Sequence, residues 1–177
     1  PVSAADVLRS AADWPELAEL ARTLADSWWG LLPGVHRLMF EGGRVQLTLA
    51  VGDVQPMLRD LVATADAVFL DGFSPACNPV MWQPSTLKGV ARHCARGARV
   101  ATWTIAREVR DALAEAGFVV HKAPGLPRKR DCLQGRYDPA WTPKTRINTQ
   151  ANTSARSGRG TPSHAVVLGG GLAGAAV

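Results

Sequence analysis

The run from Asp66 to Trp82, DAVFLDGFSPACNPVMW, constrains the fold more than any other part of this chain. A short apolar stretch, Ala67 to Leu70, stops abruptly at an acid, a glycine, an aromatic and a proline. An apolar run bounded by turn residues reads as a buried strand. In open parallel sheets, ligands bind just beyond the carboxyl ends of the strands. Asp71 stands at such an end, and Gly72, Phe73, Ser74 and Pro75 shape the loop after it.

The surrounding sequence alternates between two periods. Val7, Leu8 and Ala11, then Leu17, Leu20, Ala21 and Leu24, recur at helical spacing, and Trp14-Pro15 between them predicts two helices rather than one. Two alternating runs, His36 to Phe40 and Val45 to Ala50, flank Glu41-Gly42-Gly43-Arg44 and predict a β-hairpin. Helical patterns follow at 54–63, 84–95 and 107–116, with strand patterns at 68–70, 99–104 and 118–121. Cys132 to Tyr137 is expected to pair with the last of these as an antiparallel edge. Helix–strand alternation predicts an α/β fold with a mostly parallel sheet, covered on both faces. From about Asp138 to Ser163 the pattern fades into Pro, Thr, Asn, Ser, Gly and Arg, which is linker composition. Periodicity returns at Ala165 to Leu168.

The net charge of +5 is placed unevenly. Residues 121–160 hold nine Lys or Arg against two acids, Asp131 and Asp138. Such a segment is either the electrostatic footprint of a polyanion binder or a linker kept soluble by its charge. Three cysteines, Cys77, Cys94 and Cys132, lack paired spacing, so neither a disulfide framework nor a zinc site is expected and a reducing cytoplasm fits best. No apolar run approaches the roughly 20 residues that span a bilayer. The four histidines are scattered and read as structural or surface residues, and no metal is expected. Absence of GxSxG, HExxH and P-loop patterns argues against a serine hydrolase, a zincin or an NTPase. A start at Pro1 and an end within a glycine-rich run read as those of a fragment.

Five features carry chemistry. Gly169-x-Gly171-x-x-Gly174 follows an apolar strand directly, as in a dinucleotide-binding turn. The first glycine permits the tight turn, the second lets the backbone approach a pyrophosphate, and the third lets helix pack on strand. Asp71 can accept a hydrogen bond from a nucleophile or cofactor, or it can serve its turn as Asp commonly does. Gly52-Asp53 is a second strand-end acid, whose plainer role is N-cap of the helix after it. Trp82 can stack on a base or a cofactor ring, or sit in the core. Arg128-Lys129-Arg130 can clamp phosphates or form an exposed loop.

The Asp66–Trp82 block closely resembles the signature of the bifunctional tRNA 5-methylaminomethyl-2-thiouridine biosynthesis (MnmC) family. Further blocks fit in order: Leu32-Pro33-Gly34-x-His36-Arg37, Leu49-x-x-Gly52-Asp53, Ala101-Thr102-Trp103-Thr104, Ala116-Gly117-Phe118 and Gly125-x-x-Arg128-Lys129-Arg130. The resemblance implies three parts. Residues 1–138 would be the C-terminal part of a Rossmann-like class I methyltransferase sheet, incomplete because its first strands are missing. Residues 139–163 would be a linker, and 164–177 the first strand and turn of an FAD-binding Rossmann fold. It implies that S-adenosyl-L-methionine is bound by Gly52, Asp53, Asp71, Phe73 and Pro75, with Asp71 beside the target amine as the catalytic residue. It implies FAD at Gly169, Gly171 and Gly174 in the longer parent, and tRNA phosphates at Arg128, Lys129 and Arg130. The implied reaction is N-methylation of an aminomethyl group on a wobble uridine, coupled in the parent to flavin-dependent removal of a carboxymethyl group. The family's first glycine-rich loop and its ribose-holding acid would lie upstream of Pro1. Ala106-Arg107-Glu108-Val109 departs from the family pattern of small residue, Gly, Phe and Val, so no contact is carried over there. A plain flavin oxidoreductase shares the glycine fingerprint, and a non-catalytic RNA-binding module would explain the basic segment. Neither accounts for the Asp66–Trp82 block.

Overall fold

The computed structural model describes residues 3–28, 30, 32–125 and 130–140, and the backbone of 165–169. The chain divides into two compact units, one of Pro1–Leu61 with Gly170–Val177, the other Val62–Gly169.

In the first unit, α1 (Ala4–Ser10) and α2 (Ala18–Asp26) pack together, joined through a 3-10 turn at Pro15–Leu17. The break falls where Trp14-Pro15 predicts it, because the proline ring cannot continue the helix before it. Ser3 starts α1 with a reciprocal cap: the Asp6 amide donates to Ser3 Oγ at 3.2 Å, and the Ser3 amide donates to Asp6 Oδ2 at 2.8 Å. Those bonds hold the Asp6 carboxyl below its ordinary range, the Ser3 side chain first and its backbone next. The hairpin β1 (Gly34–Phe40) and β2 (Val45–Val51) pairs in register from Gly34 opposite Val51 to Phe40 opposite Val45. Its turn uses three successive positive φ angles, at Glu41, Gly42 and Gly43. α3 (Val54–Asp60) follows and is shorter than its pattern predicts, because Leu61 turns to extended backbone.

The second unit is one five-stranded sheet in the order β5-β6-β4-β3-β7. It comprises β3 (Ala65–Asp71), β4 (Cys94–Thr102), β5 (Phe118–Pro124), β6 (Asp131–Tyr137) and β7 (Ala165–Gly169). β3 pairs in parallel with both β4 and β7, whereas β6 is antiparallel to β4 and β5. The expectation that Cys132 to Tyr137 forms the sheet edge is therefore corrected. β6 is inserted between β4 and β5, which leaves β5 at the edge. Two helices connect the strands, α4 (Pro84–Ala91) and α5 (Arg107–Glu115). The pattern over 84–95 overruns α4, since β4 already begins at Cys94. α5 ends at Gly117, whose φ of +98° suits glycine and whose missing Cβ would lie 2.9 Å from Pro139 Cβ.

Alternation along the strands separates two faces. Val68, Leu70, Val100, Leu133 and Tyr137 are buried, together with Leu87 and Val90 of α4 and Val109 and Leu113 of α5. Each fully buried aliphatic side chain of this core contributes about 1.5–3 kcal/mol of transfer free energy. On the other face Phe69 is 48% exposed and Val119 57%, and Arg99, His121, Gln134 and Arg136 are also exposed. The prediction of cover on both faces thus holds for one face of this unit. Cys94, held beside the Val90 carbonyl, is desolvated by burial, which pushes its thiol up to about 12.

Candidate functional site

Asp71 is the last residue of β3, an inner strand between β4 and β7. Period-2 alternation sends Val68 and Leu70 into the core, so Asp71 emerges with Phe69 on the opposite, exposed side. Among the described residues its carboxylate makes no hydrogen bond or ion pair, which leaves both oxygens able to accept from a ligand. Its ladder partner is Gly169, the last residue of β7. The first residue of the glycine fingerprint and the strand-end acid therefore stand on adjacent strand ends. Gly171 and Gly174 lie outside the described residues.

The loop after Asp71 is held from three directions. Trp103 Nε1 donates to the Gly72 carbonyl at 2.9 Å, and Trp82 Nε1 donates to the Phe73 carbonyl at 2.8 Å. The two indoles meet edge to face, with centroids 6.5 Å apart and planes at 90°. Within the loop, the amides of Cys77 and Asn78 both donate to the Ser74 carbonyl at 2.9 Å. A 3-10 turn, Pro79–Trp82, leads into α4, and Thr86 Oγ1 fastens it by donating to the Val80 carbonyl at 2.7 Å. Trp82 is only 6% exposed, which decides its role for the core rather than for stacking on a ligand. Phe73 is 43% exposed beside a partly exposed Pro75, so both can offer apolar surface at the strand end.

β4 ends alongside at Thr102, the partner of Leu70. Thr102 and Thr104 are buried, and their hydroxyls accept from the amides of Thr104 and Ala106, at 3.4 and 3.3 Å, where α5 starts. Among the described residues, no buried side-chain nitrogen or oxygen lacks a partner.

The strand directions bring one more predicted feature to this end of the sheet. β5 runs parallel to β3 and β4, since both β5 and β4 are antiparallel to β6. Its carboxyl end, Pro124, therefore shares an edge with Asp71 and Thr102. The turn that follows is closed by the Gly125 amide donating to the Arg130 carbonyl at 3.2 Å. Arg130 is exposed and leads into β6, two strand spacings from β3, or about 10 Å across the sheet. Arg128 and Lys129 lie outside the described residues.

Gly52 and Asp53 belong to the other unit. Gly52 has φ +152°, and a Cβ there would sit 3.4 Å from Met57 Cε. Asp53 occupies the N-cap position of α3, and its carbonyl accepts from the Met57 amide at 3.1 Å, but its side chain makes no cap bond. A concavity of about 950 Å³ lies not at the Asp71 edge but along the open sheet face, lined by residues that include Phe69, Arg99, His121 and Arg136. A wide hollow over an uncovered sheet face would leave most of a ligand in solvent, so the strand ends are the better-supported site. The described residues contain no group of three or more His, Cys, Asp or Glu able to hold a metal, and no helix long and apolar enough to cross a membrane.

Residues 15–138 match the family model described as S-adenosyl-L-methionine-dependent methyltransferase. A protein of Polaromonas naphthalenivorans, named tRNA 5-methylaminomethyl-2-thiouridine biosynthesis bifunctional protein MnmC, is 57% identical over 178 residues, covering 100% of this chain and 27% of the relative. The protein of the same name from Aromatoleum aromaticum is 46% identical over 98% of this chain and 26% of its own length. The chain thus spans about a quarter of the length of these curated relatives. Among solved structures, MNMC2 from Aquifex aeolicus matches with a TM-score of 0.57 at 24% identity, over 73% of this chain and 40% of that one, which establishes a shared fold.

Proposed function

We propose, from the premise that this chain belongs to the S-adenosyl-L-methionine-dependent methyltransferase family, that the Asp71 edge serves methyl transfer to the amine of a 5-aminomethyl-2-thiouridine at the wobble position of tRNA. The observation that carries the reading is the carboxylate of Asp71, without a partner among the described residues, at the carboxyl end of an inner parallel strand. The names of the long relatives support the substrate.

The residues at this edge suit the methyl donor. A carboxylate complements a cationic sulfonium and accepts from an amine, while the exposed ring of Phe73 and the ring of Pro75 suit the flat, apolar faces of an adenosyl group. When bound, S-adenosyl-L-methionine supplies an electrophilic methyl group on sulfur. Asp71 does the rest of what this edge can do. An aliphatic amine attacks only when its lone pair is free, so it must arrive neutral. Asp71 accepts one N–H of that amine, which fixes the direction of the lone pair and favours the positive charge that develops on nitrogen during attack. The proton released afterwards passes to Asp71 or directly to water at this exposed position.

Arg130 would meet tRNA phosphates at the same sheet edge, Arg128 and Lys129 precede it in sequence and would add to that contact, and the contact would weaken with salt. On this reading Gly52 and Asp53 border the adenine, and Gly169, Gly171 and Gly174 open a flavin domain of the longer protein, whose FAD-dependent step removes the carboxymethyl group. Such a protein works in the cytoplasm, where its tRNA is found.

The test is Asp71→Ala in a methylation-competent protein that carries this sequence. Methylation should be abolished while tRNA affinity stays nearly unchanged. Surviving methylation would remove Asp71 from the reaction. Salt-dependent tRNA binding that needs no cofactor, in a protein without any methylation, would point instead to a binding module.

A further inference from the structure

The loop that carries Asp71 out of the sheet has two successive carbonyls, Gly72 and Phe73, beyond the last ladder partner of β3. Each is taken by an indole N–H from a different part of the chain. Trp82 comes from the 3-10 turn before α4, nine residues on, and Trp103 from just past the end of β4, 31 residues on. The rings brace one another edge to face at 6.5 Å. Aromatic pairs prefer this arrangement, with the positive ring edge of one set against the negative face of the other. Indole is a donor only, so neither ring can exchange its role for that of an acceptor. Packing alone would be served by Phe or Leu at either position, and it would not require two N–H groups aimed at consecutive backbone oxygens.

We infer that Trp82 and Trp103 are positioning residues of the Asp71 edge, a paired clamp that fixes the Gly72–Phe73 backbone and, through it, the aim of the carboxylate. The inference rests on the reading of Asp71 given above. In this proposal the indoles act on the loop backbone rather than on the substrate. Their effect is on the loop, and a displacement of about 1 Å in a reacting geometry can cost about a hundredfold in rate. The clamp would fix the backbone that delivers this exposed strand-end carboxylate, which makes no hydrogen bond among the described residues.

The discriminating experiment replaces Trp103, and separately Trp82, by β-(3-benzothienyl)alanine, which keeps the bicyclic shape and loses the N–H. Amide hydrogen exchange is measured on the full 177-residue chain. The clamp predicts that exchange at Cys77 and Asn78, whose amides both donate to the Ser74 carbonyl of this loop, rises at least about tenfold, the factor that corresponds to the loss of one net hydrogen bond. Exchange at Val68 and Val100 should stay as it was. In a methylation-competent protein carrying the same replacement, kcat should fall at least about tenfold with KM for tRNA unchanged, the signature of an interaction felt in the transition state. Trp103→Phe should behave in the same way. Unchanged exchange at Cys77 and Asn78 overturns the clamp. Raised exchange with unchanged kcat overturns the positioning role. Failure of the underlying reading is seen separately, as full activity in Asp71→Ala.

Discussion

Asp71 and Asp53 are alike in sequence, each an acid near the end of an apolar strand, and both carboxylates are exposed without a hydrogen-bond partner among the described residues. What surrounds them differs. Asp71 ends an inner strand with parallel neighbours on both sides, and its loop is pinned by Trp82 and Trp103. Asp53 follows an outer strand of a two-stranded hairpin and starts a seven-residue helix without capping it through its side chain. A strand-end acid becomes a candidate reagent when the sheet and loop fix its direction. The same residue in a looser setting can at most bind.

That contrast can be broken first by kinetics. Asp71→Ala should lower kcat by about 10²–10⁴-fold, the range expected when a positioned proton acceptor is lost. The role proposed for Asp53 is binding alone, so Asp53→Ala should instead raise KM for S-adenosyl-L-methionine with kcat kept. Equal losses in kcat would erase the distinction. The rigidity behind Asp71 can be tested next. Leu87→Ala empties a fully buried position in α4 and should cost about 2–5 kcal/mol in chemical denaturation.

A smaller effect sharpens the other side of the comparison. Ser3 caps α1 through its side chain, so Ser3→Ala should cost about 1 kcal/mol. Asp53→Ala should change stability far less, because no cap bond is lost. Denaturant midpoints of the two variants decide this, and a larger loss at Asp53 would restore the helix-cap role expected from its position. The smallest effect is chemical. With its thiol pushed up to about 12, Cys94 holds a thiolate fraction of about one in ten thousand at pH 8. It should therefore be alkylated well after the exposed Cys77. Burial raises this thiol's value in the folded state, so its contribution to stability is complete at neutral pH. That contribution is lost as pH climbs from about 9 toward about 12. Mass-spectrometric mapping of early alkylation checks the order, and early labelling of Cys94 would contradict it.

Much of this architecture is legible in local pattern. The hairpin, the break at Trp14-Pro15, the strand ending at Asp71 and the helices α4 and α5 all follow from period and punctuation, which are short-range properties. The placement of β6 between β4 and β5 is not legible this way. Cys132 to Tyr137 pairs with β5 as its neighbour in sequence, and its pairing with β4 depends on contacts more than thirty residues apart. The overrun of α4 has a similar cause, since 92–95 keeps a helical composition while Ala65 draws Cys94 into the sheet. Asp71, Gly72 and Phe73 stand out in sequence because abrupt turn residues end an apolar run. Trp82 alone reads more readily as core than as a stacking residue, and its burial bears that out. Trp103 draws notice only as part of a resemblance, and its bond to Gly72 exists only once β3 and β4 lie side by side.

The most direct test of the central claim is the single-turnover rate of methyl transfer from S-adenosyl-L-methionine to 5-aminomethyl-2-thiouridine tRNA, measured with Asp71→Asn in a protein competent for the reaction. Asparagine keeps the size of the side chain and removes the charge that favours a developing ammonium. The account predicts a loss of at least about a hundredfold in rate with tRNA affinity unchanged. A rate within about threefold of the parent would show that the Asp71 carboxylate takes no part in the chemistry.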